Sequence, residues 1–193
     1  MNARNFQREL DRLLERLAAE GRVPRLFLHS CCAPCSSYVL EYLSKYFEIT
    51  VFYYNPNIYP PKEYDERLAE VRRLVSEMEF AHPVTVVAGA YDPALFFDAV
   101  KGLEAEKEGG ARCERCFRLR LMEAARLAKD GGYDYFTTTL TVGPKKDARL
   151  LNQLGEEIRS MYGVAYLNSD FKKKNGHFRS LELSEQYGLY RQD

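Results

Sequence analysis

With 193 residues, 46% of them apolar and 13% aromatic, the chain is long enough to bury a sizeable core and has the length of one domain, taken as residues 1–193. Its 28 basic residues are matched by 28 acidic ones, which excludes the uniformly basic surface of a protein that grips long nucleic acid and leaves room only for a local basic patch. No apolar run approaches the roughly 18 residues of a membrane span and the N-terminus lacks a secretory core, so the expectation is a soluble, cytoplasmic protein with no membrane partner.

Leu10, Leu13, Leu14 and Leu17 recur at helical spacing and predict a first helix ending near Glu20, before Gly21 and Pro24 break the pattern. Leu26 to Ser30 reads as a short buried strand running into Cys31-Cys32-Ala33-Pro34-Cys35, followed by a helix whose Tyr38, Tyr42 and Tyr46 form one buried stripe. Ile49 to Tyr54 is a second strand, Asn55-Pro56-Asn57-Ile58-Tyr59-Pro60-Pro61 a rigid loop, and Tyr64 to Met78 a helix with Leu68, Val71, Leu74 and Val75 inward. A third strand over Val84 to Ala88 and a short helix over Ala94 to Val100 follow. Glu104 to Ala111 is charged and contains glycine, and Cys113-Glu114-Arg115-Cys116 opens a helix through Ala128. Asp134 to Thr139 and Val164 to Leu167 complete the strands, and Lys172 to Gly176 reads as a solvated loop.

Strands that alternate with helices imply an α/β fold: a doubly wound parallel sheet of about five strands, with helices on both faces. Such sheets place their sites beyond the carboxyl ends of the strands, where Cys31, Asn55 and Thr138 fall.

Five cysteines cannot all pair internally, and their clustering at two helix starts favours anionic sulfur and metal or redox chemistry. With no histidine at ligand spacing, the soft options are an iron–sulfur cluster or zinc. A structural zinc usually staples a small module that lacks its own core, so a thiol site at the catalytic edge of a sheet favours the cluster; a thiol–disulfide pair or inert thiols remain the alternatives. A cubane [4Fe-4S] cluster takes four thiolates, leaving one cysteine for a second metal, a proton or no role.

Leu28-His29-Ser30-Cys31-Cys32-Ala33-Pro34-Cys35, Tyr54-Asn55-Pro56-Asn57-Ile58, Arg112-Cys113-Glu114-Arg115-Cys116-Phe117 and Phe136-Thr137-Thr138-Thr139-Leu140 occur in that order. With Arg179-Ser180-Leu181-Glu182-Leu183-Ser184 and Gly188-Leu189-Tyr190-Arg191-Gln192 they resemble the cobalamin-independent epoxyqueuosine reductase family, from Leu28 to Gln192. The resemblance implies a HUP-like fold related to the ATP pyrophosphatases and a cluster beside a mononuclear metal, expected to be iron. It implies two-electron deoxygenation of epoxyqueuosine in tRNA to queuosine, with a separate electron donor. Many members carry a short tail with two more cysteines after the Tyr-Arg-Gln segment. This chain stops at Asp193, so any role of that tail is expected to be absent or dispensable.

Cys31, Cys32, Cys113 and Cys116 are the expected cluster ligands, with Cys35 at the neighbouring metal beside a carboxylate or water, although spacing leaves the order among the five open. Asp92 and Asp170 follow the third and last strands and are the candidate carboxylates, although an aspartate so placed is more often a cap or turn former. Asn55, Asn57 and Tyr59 present amides and a ring to the modified base, or simply make a rigid turn. Lys145, Lys146, Lys172, Lys173, Lys174 and Arg179 are candidates for tRNA phosphate contact. Arg118, Thr138, Thr139 and Arg191 are placed by motif resemblance alone, with Thr138 taken at the substrate, and a threonine run in a strand is commonly just strand preference. His29 reads either as a proton carrier or as a hydrogen-bonded core residue.

Two rivals stand beside this reading. A sulfur-transferring or adenylating relative of the ATP pyrophosphatases would need a Ser-Gly-Gly-x-Asp-Ser loop where Cys-Cys-Ala-Pro-Cys stands. A zinc-stabilised RNA-binding module would be colourless.

Overall fold

The computed structural model describes residues 3–191; Gln192, the last residue of the final motif, lies outside them. The elements are α1 (Phe6–Ala19), β1 (Arg25–Ser30), α2 (Ala33–Leu43), β2 (Glu48–Tyr53), α3 (Pro61–Glu77), β3 (Val84–Ala88), α4 (Pro93–Ala99), α5 (Ala111–Asp130), β4 (Tyr135–Thr138), α6 (Ala148–Tyr162), β5 (Ala165–Tyr166) and α7 (Gly176–Gln186). A single 3₁₀ turn, Leu140–Val142, follows β4.

All strand pairs are parallel, in the order β3-β2-β1-β4-β5. The expected doubly wound α/β class is what forms. β1 is central because Leu26, Phe27 and Leu28 are apolar on both sides of the pleat, as a strand covered on both faces requires. Leu26, Leu28, Ile49, Val51 and Tyr53 point into one core with α1, α2, α3 and Phe171. Phe27, Phe52 and Phe136 point into the other, with Leu121, Ala124 and Ala125 of α5 and Leu151, Leu154 and Ile158 of α6. This period-two division lets adjacent residues of one strand build opposite layers.

The structure departs from the sequence reading in several places. Helix α3 starts at Pro61, three residues before Tyr64, because proline at a helix's first position loses no hydrogen bond. Cys35 sits in the first turn of α2 rather than in the preceding loop. Tyr38, Tyr42 and Tyr46 are half-buried and packed ring against ring, instead of forming a buried stripe. Helices α6 and α7 occupy stretches the periodicity reading left unassigned.

Helix α6 begins at the Asp147 cap and ends at Gly163, which takes the left-handed conformation (φ 73°) of a helix terminator. Within it, Gly155 lets the Tyr166 ring of β5 lie directly on the helix backbone, where a β-carbon would collide with the ring.

The order of strands reverses direction between β1 and β4, so the chain leaves these two neighbours toward opposite faces and opens a crevice at their carboxyl ends. Ser30 and Thr138 end those strands, and Cys31 begins the loop over the crevice.

Candidate metal centre

The Cys31, Cys32 and Cys35 sulfurs all lie within 4.8 Å of one another, at the crevice and at the N-terminal end of α2. The unpaired N–H groups of that helix end lend it partial positive charge, which favours thiolate. Cys31 Sγ is 3.7 Å from Cys32 Sγ and 3.5 Å from Thr139 Oγ1, and the Cys31 N–H donates to the same hydroxyl oxygen at 3.4 Å. Hydrogen bonding from the Cys32 thiol, and then from Cys35, holds the Cys31 thiol well below its ordinary range against the opposing effect of burial. Cys32 and Cys35 are correspondingly pushed up, first by their role as partners of Cys31. Three sulfurs with no histidine or carboxylate among them fit a thiophilic metal centre.

Cys113 and Cys116 lie one turn apart in the first turns of α5. Cys113 Sγ accepts from Gly109 N–H at 3.2 Å, and Cys116 packs with Phe96 and Val100. They line a cavity of about 350 Å³ with Asn57, Phe117, Arg120 and Lys146, whereas Cys32 and Cys35 line a second, of about 220 Å³, with Arg67, Glu70, Tyr190 and Arg191. The two cysteine groups thus open toward different cavities.

Beneath the triad is a fully buried network. His29 Nε2 donates to the Tyr54 carbonyl and Nδ1 meets Thr138 Oγ1, each at 2.9 Å. Because a carbonyl only accepts, Nε2 carries the proton, and Nδ1 accepts the Thr138 hydroxyl hydrogen. That hydroxyl in turn accepts from Leu140 N–H at 3.2 Å. Burial, and then the Arg120 charge, pushes His29 down to about 4, so the imidazole is neutral at pH 7. Of its two sequence readings, the core histidine is the one the geometry matches.

The remaining candidates fall in varied settings. Asn55 is buried: its Nδ2 donates to the Ser30 carbonyl at 2.9 Å and its Oδ1 accepts from Arg120. Asn57 lines the larger of these two cavities, and its Oδ1 is buried with no partner among the described residues. Tyr59 is exposed, with its ring edge-on to the also exposed Phe97 at 6.4 Å. Thr138 is enclosed and committed to His29. Asp92 caps α4 by accepting from Ala94 N–H, and Asp170 lies 3.2 Å from Lys172 Nζ.

Within the basic group, Lys172 donates to the Thr141 and Lys146 carbonyls and Lys174 pairs with Asp11. Lys145 and Lys146 face Glu108, and Arg179 is held by Glu41 and Glu182. These carboxylates compete directly with any phosphate. Arg118 pairs with Glu114 and Glu157. Arg120, Arg67 and Glu70 escaped the sequence reading, and Tyr190 entered it only as part of a motif. For Arg120 the available signal was its place one turn after Cys116.

Fold and site together define a doubly wound α/β protein with a cluster of thiols, able to hold a soft metal, at its topological switch point. The sequence matches the family described as Epoxyqueuosine reductase QueH over residues 26–193. It is 40% identical to an Epoxyqueuosine reductase QueH from Staphylococcus epidermidis, over 97% of this chain and 81% of that one, and 41% identical to one from Staphylococcus aureus, over 97% and 80%. A relative of the same name from Thermotoga maritima is 31% identical over 87% of this chain and 85% of its own. The chain belongs to the epoxyqueuosine reductase QueH family.

Proposed function

We propose that this chain is an iron–sulfur oxidoreductase that converts epoxyqueuosine in tRNA to queuosine. The observation that supports this best is the triad of sulfurs within 4.8 Å at the head of α2, in a member of a family named for that reaction. Residues 1–193 act as one unit. No helix among the described residues is long and apolar enough to cross a membrane, and the proposed setting is the cytoplasm.

The reaction takes up two electrons and two protons: both epoxide C–O bonds break, the alkene forms and the oxygen leaves as water. Cys31, Cys32, Cys113 and Cys116 would hold a [4Fe-4S] cluster, and Cys35, with Asp92 or Asp170, an adjacent mononuclear iron. When bound, the metal centre supplies the electrons, received from a separate donor, and a Lewis acid for the departing oxygen.

The polypeptide supplies the rest. Arg67, Tyr190 and Arg191 give the cavity beside Cys32 and Cys35 polar groups suited to a leaving oxygen. Asn57 lines the cavity of Cys113 and Cys116 as the polar contact for the modified base, and the exposed Tyr59 ring offers a stacking face. His29, enclosed and neutral, orders the strand ends without reaching substrate.

The test is anaerobic purification with iron, sulfide and zinc analysis, followed by incubation of the reduced protein with tRNA bearing epoxyqueuosine and mass analysis of the nucleosides. Four or five irons and four sulfides per chain, with queuosine formed, is the expected result. Stoichiometric zinc without sulfide, even after reconstitution, defeats the cluster, and a loaded protein that leaves epoxyqueuosine unchanged defeats the reaction.

A further inference from the structure

Arg120 is buried at 5% exposure, and among the described residues no carboxylate pairs with it. Its Nε donates to the Cys116 carbonyl at 3.4 Å and its Nη1 to Asn55 Oδ1 at 3.3 Å, while its guanidinium lies 5.6 Å over the Phe117 ring. The Nη2 hydrogens have no partner among the described residues, and the side chain lines the cavity that holds Cys113 and Cys116. A guanidinium cannot shed its proton, so it remains a cation. Burial of an uncompensated charge is strongly unfavourable, and neutral carbonyl and amide oxygens offset only part of that.

The surroundings indicate what completes the balance. Asn55 joins Arg120 to the Ser30 carbonyl, the group immediately before Cys31. One buried connection therefore runs from Cys116 through Arg120 and Asn55 to the Cys31 loop, tying together the two cysteine-bearing segments, which are far apart in sequence. The fixed positive charge sits in the middle of that connection.

We propose that Arg120 is the built-in counter-charge of an anionic metal–thiolate centre, and that Asn55 positions it between the two cysteine segments. The inference rests on the iron–sulfur reading above. A cubane cluster with four thiolates is anionic and gains one more negative charge on reduction, so a nearby fixed cation stabilises the reduced form and raises the potential. Arg120 is a positioning and electrostatic residue; contact with the reacting atoms is no part of the role.

The test compares wild type, R120K and R120Q after anaerobic reconstitution, reading iron and sulfide content and the cluster midpoint potential by spectroscopic titration. R120Q is expected to be reduced at least tenfold less readily, which is about 59 mV lower for a one-electron couple. R120K, which keeps the charge, should stay near the wild-type value. A fully loaded R120Q with an unchanged potential overturns the proposal. If R120Q fails to load, R120K decides: loading near the wild-type potential upholds the charge role, and failure there too overturns it in favour of packing. A wild-type protein that takes up no sulfide fails at an earlier step and defeats the iron–sulfur reading itself.

Discussion

Asn152, in the middle of α6, is fully buried and uses all of its amide's hydrogen-bonding capacity. Its Nδ2 donates to the Ala148 and Ser169 carbonyls at 2.7 and 2.8 Å, and its Oδ1 accepts from Ser169 N–H at 3.0 Å and from Asn168 Nδ2 at 3.2 Å. It thus replaces, for the segment after β5, the strand partner that Ser169 lacks. In N152A, the Ala148 carbonyl keeps its helical partner and Asn168 keeps Glu156. The Ser169 N–H and C=O, in a fully buried residue, are left with nothing. Each stranded group costs about 1–3 kcal/mol, so the expected loss is about 4 kcal/mol once the small void is included. N152D keeps the acceptor but loses both donations and buries a charge against two carbonyls, so it should be at least as damaging. Urea unfolding of the metal-free protein at pH 7, followed by far-UV circular dichroism, measures both losses from the midpoint at constant slope. A loss below about 1 kcal/mol in N152A, or wild-type stability in N152D, would refute this accounting. Asp170 follows Ser169 directly, so the same variants displace one of the two proposed carboxylates.

Three further outcomes are expected. T138V should cost about 3 kcal/mol in the same assay, because His29 Nδ1 and the Leu140 N–H both lose their partner, while T138S should restore most of it. G155A should destabilise by about 1–3 kcal/mol despite the better helix propensity of alanine, since its methyl meets the Tyr166 ring; in a Y166A background the sign should reverse to a gain of about 1 kcal/mol. Burial raises the Tyr53 and Tyr166 phenols above their ordinary value of 10. In the folded state they therefore hold their protons at pH values where the unfolded chain has released them, and stability falls as pH rises above about 10, by about 1.4 kcal/mol per pH step for each phenol. Tyrosinate absorbance that appears for these groups below the alkaline unfolding midpoint would contradict this.

The parts of the molecule that one sequence makes legible are those set by local chemistry. Leu26 to Leu28 is apolar at every position, as a strand covered on both faces requires, and Cys31, next after the strand's last residue Ser30, falls at the sheet's carboxyl edge. Helix α6 was within reach of the same reasoning: Asp147, the Leu151, Leu154 and Ile158 spacing and Gly163 are its start, stripe and stop. Lys172 shows the opposite limit. A run of lysines reads as solvated, yet this one turns inward because two carbonyls, those of Thr141 and Lys146, wait where the chain returns.

The environment of the sulfurs belongs to the illegible part for a physical reason. His29 meets Thr138 across 109 positions of sequence and Arg120 meets Asn55 across 65, and both encounters depend on which strands lie side by side and in what register. A parallel sheet sets that register through helical crossovers, not through turn chemistry that a short window can contain. Cysteine spacing therefore points to a site that can hold a soft metal. The charge that would poise such a metal comes from a residue whose neighbours, Leu119 and Leu121, make it look like the polar edge of an amphipathic helix. Burial of that edge, with Asn55 as its only side-chain hydrogen-bond partner among the described residues, converts an ordinary helical arginine into a feature of the site.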